Sequence, residues 1–204
     1  MKQLLSILSL FLFLIFPLSA DTVVLNDRSG AVAPTEDILY RLDPEADLSA
    51  PEVGSNLNLM TPLPQESLQI PRDGALWLAV RLDNQSTTHE WVLENTMNVE
   101  RMELYALQGE TWTLKQSSGN AVPYRERSFK TRKPAFRLSL PPGTEKTLIL
   151  RVEDLQSSNL QLRVSSTESF RNDYLDRTLR LGLAFGFFAA LIIYNLLVFS
   201  ISRD

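Results

Sequence analysis

The sequence predicts a mainly β chain, a jelly-roll or β-sandwich domain followed by one transmembrane α-helix. Three observations lead there. Between residues 37 and 166, short runs alternate apolar and polar residues and are separated by turn signals. From Leu181 to Ile201 the chain has no charged residue and would reach about 30 Å as a helix, the thickness of a bilayer's hydrocarbon core. The first twenty residues, "MKQLLSILSLFLFLIFPLSA", have the form of a signal peptide.

Each element follows in order. Residues 1–20 combine a positive start at Lys2, an apolar run from Leu4 to Phe16, a breaker at Pro17 and small residues at Ser19 and Ala20. That run is short for a bilayer, which needs about twenty residues in a helix, so cleavage near Ala20 is expected. Residues 21–36 are the N-terminal segment of the mature chain. "DILYRLDPEADLSAPEVG" gives a strand, a polar connection and a helical turn after Ser49, and "SNLNLMTPLPQESLQIP" is mostly loop.

"GALWLAVRLDN" then places Leu76, Leu78, Val80 and Leu82 on one face, with Trp77, Ala79, Arg81 and Asp83 on the other. The same alternation recurs in "AFRLSL", "KTLILRVED" and "NLQLRVSS". "IPRDG", "DNQSTTHE", "LQGE" and "LPPGTE" supply the turns. Short strands at this spacing indicate a sandwich rather than a βαβ sheet. Residues 167–180 lose the alternation and gain helix formers, giving a connector helix that runs into the span at 181–201. Residues 202–204 form the cytoplasmic end. This topology puts the β domain outside the cytoplasmic membrane. The flanking charges run against it, since Arg171, Arg177 and Arg180 lie on the outer side and only Arg203 on the inner.

Composition narrows the chemistry. The 204 residues make room for one domain, and the net charge of -4 is spread over both signs without a basic stripe, so nucleic acid is not an expected partner. There is no cysteine, and His89 is the single histidine, in a polar loop beside Glu90. Thiolate metal sites and cysteine nucleophiles are excluded, and no Gly-rich phosphate loop occurs, so no cofactor or metal is expected. Glu94, Glu100 and Glu103 fall in strands or turns with no supporting constellation for glycoside hydrolysis. The chain is not expected to be an enzyme.

Binding residues are the better candidates. Trp77 shares the polar face of its strand with Arg81, where an indole can stack on a sugar ring. Arg81, Arg137, Arg151 and Arg163 all fall on polar faces. In neighbouring strands they would form a cationic patch suited to carboxylate or phosphate. In the span, Gly182, Gly186 and Ala190 recur every four residues and allow a second helix to approach closely. Asn195 places an amide inside the bilayer, where it calls for a hydrogen-bond partner. The expected partners are therefore the lipid bilayer and other transmembrane helices, from the same protein or from a partner chain.

The order of "ILYRLDPEADLSAPEV", "GALWLAVRLDNQSTTHEWVLENTMNVERMELYAL" and "SGNAVPYRERSFKTRKPAFRLSLPPGTEKTLILRVEDLQSSNLQLRV" resembles one family. It is the periplasmic sensing domain, extracellular type 2, of bacterial seven-transmembrane receptors with diverse intracellular signalling modules (7TMR-DISM). "LGLAFGFFAALIIYNLLVFSISRD" is similar to the first membrane helix of those receptors. The resemblance implies a jelly roll akin to carbohydrate-binding modules, in the periplasm and anchored in the bacterial inner membrane. It implies a small-molecule ligand, carbohydrate-like or anionic, and transmission through a seven-helix bundle to a diguanylate cyclase or histidine kinase outside these 204 residues. Arg127, in "PYRERSF", matches a position where the family commonly has arginine. Arg127 and Arg151, followed by Trp77 and Arg81, are the residues expected to contact ligand. The rival expectation is a single-span adhesion or scaffold protein that binds polysaccharide or a protein partner.

Overall fold

The computed structural model describes residues 22–27, 30–34, 37–64, 73–131, 133–153 and 160–202. The expected signal peptide and residues 203–204 lie outside them. The chain divides into two compact units, one through Ser165 and one from Ser166 onward.

The first unit is a sandwich of two sheets. Its strands are β1 (Val23–Leu25), β2 (Ala31–Val32), β3 (Ile38–Asp43), β4 (Thr61–Pro62), β5 (Ala75–Asn84), β6 (Glu90–Asn95), β7 (Arg101–Gln108), β8 (Thr111–Ser118), β9 (Ala135–Ser139), β10 (Thr144–Glu153) and β11 (Leu162–Ser166). One sheet has seven strands in the order β4-β3-β5-β10-β7-β8, with β1 added alongside β5. The other has four, in the order β2-β11-β6-β9. Pairing is antiparallel except for β1, which runs parallel to the end of β5 with Val23 opposite Leu82. Within the N-terminal segment, residues 21–36, β1 adds a strand to the larger sheet and β2 one to the smaller.

The alternating residues build the core as the pattern requires. Leu76, Leu78, Val80 and Leu82 of β5 join Met102, Leu104, Leu148, Leu150 and Val152, and face Trp91, Leu93, Phe136, Leu138, Leu162 and Val164 of the smaller sheet. At about 25 cal/mol per Å² of apolar surface removed from water, this layer is the main source of stability. The "LQGE" turn closes the β7–β8 hairpin with Gly109 at φ 63°, a conformation that suits glycine.

The opposite face of β5 departs from expectation. Trp77 and Ala79 are buried there too, in a second cluster with Leu39, Ile149 and Met60 beneath α1 (Ala50–Ser55), whose Ala50 and Val53 point inward. Ser49 caps this helix. Its backbone N–H and its hydroxyl both donate to Glu52, at 2.8 and 2.6 Å, and these bonds hold the Glu52 carboxyl below its usual pKa. The Trp112 indole lies so close over Gly54 that a Cβ there would sit 1.9 Å from its Nε1. The helical turn after Ser49 thus becomes a cover clamped between two tryptophans.

Asn84 closes the far end of β5 and is 0% exposed. Its Nδ2 donates to the carbonyls of Thr88 and Leu140 at 2.7 and 2.6 Å, and its Oδ1 accepts from Ser86. One side chain therefore ties the β5–β6 turn to the end of β9.

The second unit is a single helix, α2 (Thr167–Ser202), about 54 Å long at 1.5 Å per residue. Among the described residues it is the one helix long and apolar enough to cross a membrane. The expected connector and span form one uninterrupted element.

Replacing Asn84 by alanine removes the buried donor to the Leu140 carbonyl, one of the donors to the Thr88 carbonyl and the acceptor that Ser86 uses. The expected cost is about 1–3 kcal/mol, measured as a lowered denaturant midpoint with an unchanged slope. An unaltered midpoint would contradict the role given to Asn84.

Candidate functional site

Trp77 is placed by its register with Arg41 on β3 and Arg151 on β10. It is 1% exposed, so it does not open onto a ligand-accessible face as its alternation suggested. The physical reason is that α1 covers this face of the sheet, making β5 a strand buried on both sides. The indole N–H donates to Asp43 at 3.1 Å, and the same carboxylate accepts the backbone N–H groups of Asp47 and Leu48. Asp43 is itself 1% exposed, and these three bonds compensate its burial.

Arg151 lies over the Trp77 ring, 5.9 Å from its centroid. It pairs with Glu153 and with Glu103 at 3.8 Å, while Arg101 reaches Glu103 at 3.5 Å and Glu153 at 3.7 Å. Tyr105 donates to Glu103 at 2.7 Å and packs against Trp77 with ring centroids 5.7 Å apart. Burial first, and then the bond to Glu103 and its charge, push the Tyr105 hydroxyl well above the usual tyrosine pKa. The arrangement is a closed network of two arginines, two glutamates and a phenol. Arg81 sits on the same face but pairs with Glu145 at 3.4 Å.

The four arginines do not form one patch. Arg81 and Arg151 belong to the larger sheet, whereas Arg137 and Arg163 belong to β9 and β11 of the smaller one. Arg163 pairs with Glu94 at 3.5 Å. Arg127 works within its own loop: its Nε donates to the Val122 carbonyl at 2.9 Å, and its guanidinium stacks 5.8 Å from the Tyr124 ring. It therefore shapes the β8–β9 connection.

An open depression lies where the edges of the two sheets meet, lined by Glu90, Gln116, Ser128, Arg137 and Ser139. The Gln116 amide of β8 imitates a strand neighbour of β9. Its Nε2 donates to the Arg137 carbonyl at 2.6 Å, and its Oε1 accepts the Arg137 N–H at 3.0 Å. Glu90 and Ser139 are cross-strand partners on the outward face, and Arg137 is the next outward residue of β9. The Arg137 guanidinium rests over Phe129, 5.3 Å from the ring centroid. Of these residues only Arg137 stood out in the sequence, as an outward-facing arginine. Gln116 and Ser128 gave no local signal, because they meet Arg137 only through the β8–β9 connection.

In α2, no heavy atom lies within 4 Å of a Cβ placed at Gly182 or Gly186. Their surface is open to a neighbour. Asn195 donates its Nδ2 to the Leu191 carbonyl one turn back at 2.8 Å, so half of its amide is satisfied within its own helix. No group of three or more His, Cys, Asp or Glu side chains able to hold a metal occurs among the described residues.

Comparison with known proteins gives one family: the model of the 7TMR-DISM extracellular 2 domain matches residues 35–166, more than half of the chain. No curated protein sequence matches. Among solved structures, the chain is similar to the GH31 alpha-xylosidase from Xanthomonas citri, with 13% identity and a TM-score of 0.35 over 74% of this chain. It spans only 15% of that enzyme's length. It is also similar to the family 32 CBM from C. perfringens NanJ in complex with galactose, with 9% identity and a TM-score of 0.26, over 65% of this chain and 98% of that one.

Two outcomes follow from the network around Trp77. Truncating Trp77 to alanine is expected to destabilise the domain by about 3–5 kcal/mol, whereas a stacking residue on an open face would leave the unfolding midpoint almost unchanged. Tyr105 holds its proton in the fold above the value of 10.0 for a free tyrosine. Its contribution to stability is therefore complete below pH 10 and lost as pH rises past that value. Alkaline titration followed by phenolate absorbance should show a late component that Tyr105→Phe removes.

Proposed function

The chain belongs to the 7TMR-DISM extracellular 2 family, and on that premise we propose that it is the periplasmic ligand-sensing portion of a bacterial membrane signalling receptor. The β-sandwich binds a small carbohydrate-like or anionic molecule, and α2 anchors it in the inner membrane. The observation that carries this reading is the family match together with a span-length apolar helix that begins at Thr167, the residue after β11.

The mechanism is a population shift. A ligand with different affinities for two arrangements of the receptor changes their ratio by that difference alone. The start of α2 immediately after a core strand gives such a difference a short path to the membrane. The open flank at Gly182, Gly186 and Ala190, together with the remaining hydrogen-bonding capacity of Asn195, suits packing against further helices of a bundle. The output module, a diguanylate cyclase or histidine kinase, would lie in sequence outside these 204 residues. Trp77, Arg81 and Arg151 serve this function by holding the sandwich together, and Arg127 by shaping the β8–β9 loop beside the depression.

The absence of cysteine makes topology directly measurable. Glu110→Cys, at the exposed tip of the β7–β8 hairpin, is expected to react with a membrane-impermeant maleimide in cells whose outer membrane has been permeabilised. Asp204→Cys is expected to react only after the inner membrane is opened. The reverse pattern would refute the periplasmic reading.

A further inference from the structure

We infer that the depression between β8 and β9 binds a small ligand bearing a carboxylate, held by Arg137, and a second hydrogen-bond-donating group, held by Glu90. The inference deepens the sensor reading, on which its signalling consequence rests.

Among the described residues, Arg137 forms no ion pair, although Arg81, Arg101, Arg151 and Arg163 all do. An acidic neighbour is nevertheless close by. Glu90 faces Ser139, the next outward residue after Arg137, so the two opposite charges are diagonal neighbours on one sheet face, with backbones about 7–8 Å apart. Both side chains are exposed. They do not meet, because the Arg137 guanidinium lies over the Phe129 ring instead. A cation held over a ring face in this way keeps N–H groups available for bidentate contact with a carboxylate.

The backbone beneath is held by separate means. Gln116 binds both polar groups of the Arg137 peptide, and β6 pairs with β9 on its other side. The cation is thus carried on a strand fixed on both edges. Ser128 and Ser139, which also line the depression, add hydroxyl donors and acceptors to it. A ligand that offers carboxylate oxygens at one end and N–H or O–H donors at the other complements this surface. Sugar acids and amino acids share that chemistry, the former donating hydroxyls to Glu90 and the latter an ammonium group.

The test is calorimetric titration of the full chain in lipid nanodiscs with D-galacturonate, D-galactose and L-serine. At least one of the two carboxylates is expected to bind, and galactose, the neutral counterpart, is not. Galacturonate binding alone assigns a sugar acid; serine binding alone assigns an amino acid. Arg137→Gln should weaken the bound carboxylate by about ten- to a hundredfold, as should Glu90→Gln for serine. Lys146→Gln, at an exposed residue of β10, should leave binding unchanged. Near-ultraviolet circular dichroism checks that each variant is folded. The inference is overturned if neither carboxylate binds at millimolar concentration, if galactose binds as well as galacturonate, or if folded Arg137→Gln binds like the wild type. Cysteine labelling that reverses the topology would sink the sensor reading and leave this binding result standing, so the two failures are separable.

Discussion

The sandwich depends on β5 being buried on both faces and paired along both edges. One edge is taken by β10 over nine residues, from Thr144 opposite Asn84 to Val152 opposite Leu76. The other is shared, with β3 covering its first part and β1 its last. With both edges closed, the strand cannot slip without breaking two ladders, and a one-residue slip would also exchange its two buried faces. Leu76, Leu78 and Val80 would then point at α1, and Trp77 would be driven between the sheets. The buried Asp43–Trp77 contact fixes the register further, since it joins β3 to β5 through a hydrogen bond that forms in one alignment only.

Covering the larger sheet with α1 determines where function can reside. It takes the face with the most aromatic and cationic residues and commits it to structure. Arg81, Arg101 and Arg151 there are matched by Glu145, Glu103 and Glu153, and a guanidinium already engaged by carboxylates has little left to offer a ligand. The smaller sheet leaves its β9 edge beside a long connection from β8. Its polar groups converge there, and the Gln116 amide joins the two sheet edges without closing the space above them. An edge strand would otherwise present unpaired backbone groups to any passing chain. The bond to Arg137 therefore protects the edge and orients the side chain above it.

The helical unit obeys different physics. A helix satisfies its own backbone groups, as any segment that crosses lipid must, and the apolar run from Leu181 to Ile201 is helical throughout. Two of its side chains that can hydrogen-bond, Asn195 and Ser202, turn back to carbonyls of their own helix. The small residues Gly182 and Gly186 contribute nothing to that helix's own stability and become useful only against a neighbour.

The sequence by itself determined the class of fold, the faces of the core strands and the position of the long apolar helix. These depend on period and composition alone: Leu162 and Val164 pack into the core as their alternation requires, and Thr167–Ser202 is helical as its residues require. The turn after Ser49 was legible for the same reason, since Ser49, Pro51 and Glu52 are a local capping signal. Tertiary structure decided the fate of Trp77 and the membership of the site. Alternation separates two faces of a strand, but it cannot tell a face exposed to water from one covered by a helix some twenty-five residues earlier in the chain. Nor can it reveal that Gln116 and Arg137, from different sheets, share two hydrogen bonds, or that Phe129 holds Arg137 away from Glu90. Those contacts arise only when the two sheets are stacked and the β8–β9 connection is laid across their edges, so the candidate site became visible only in the folded chain.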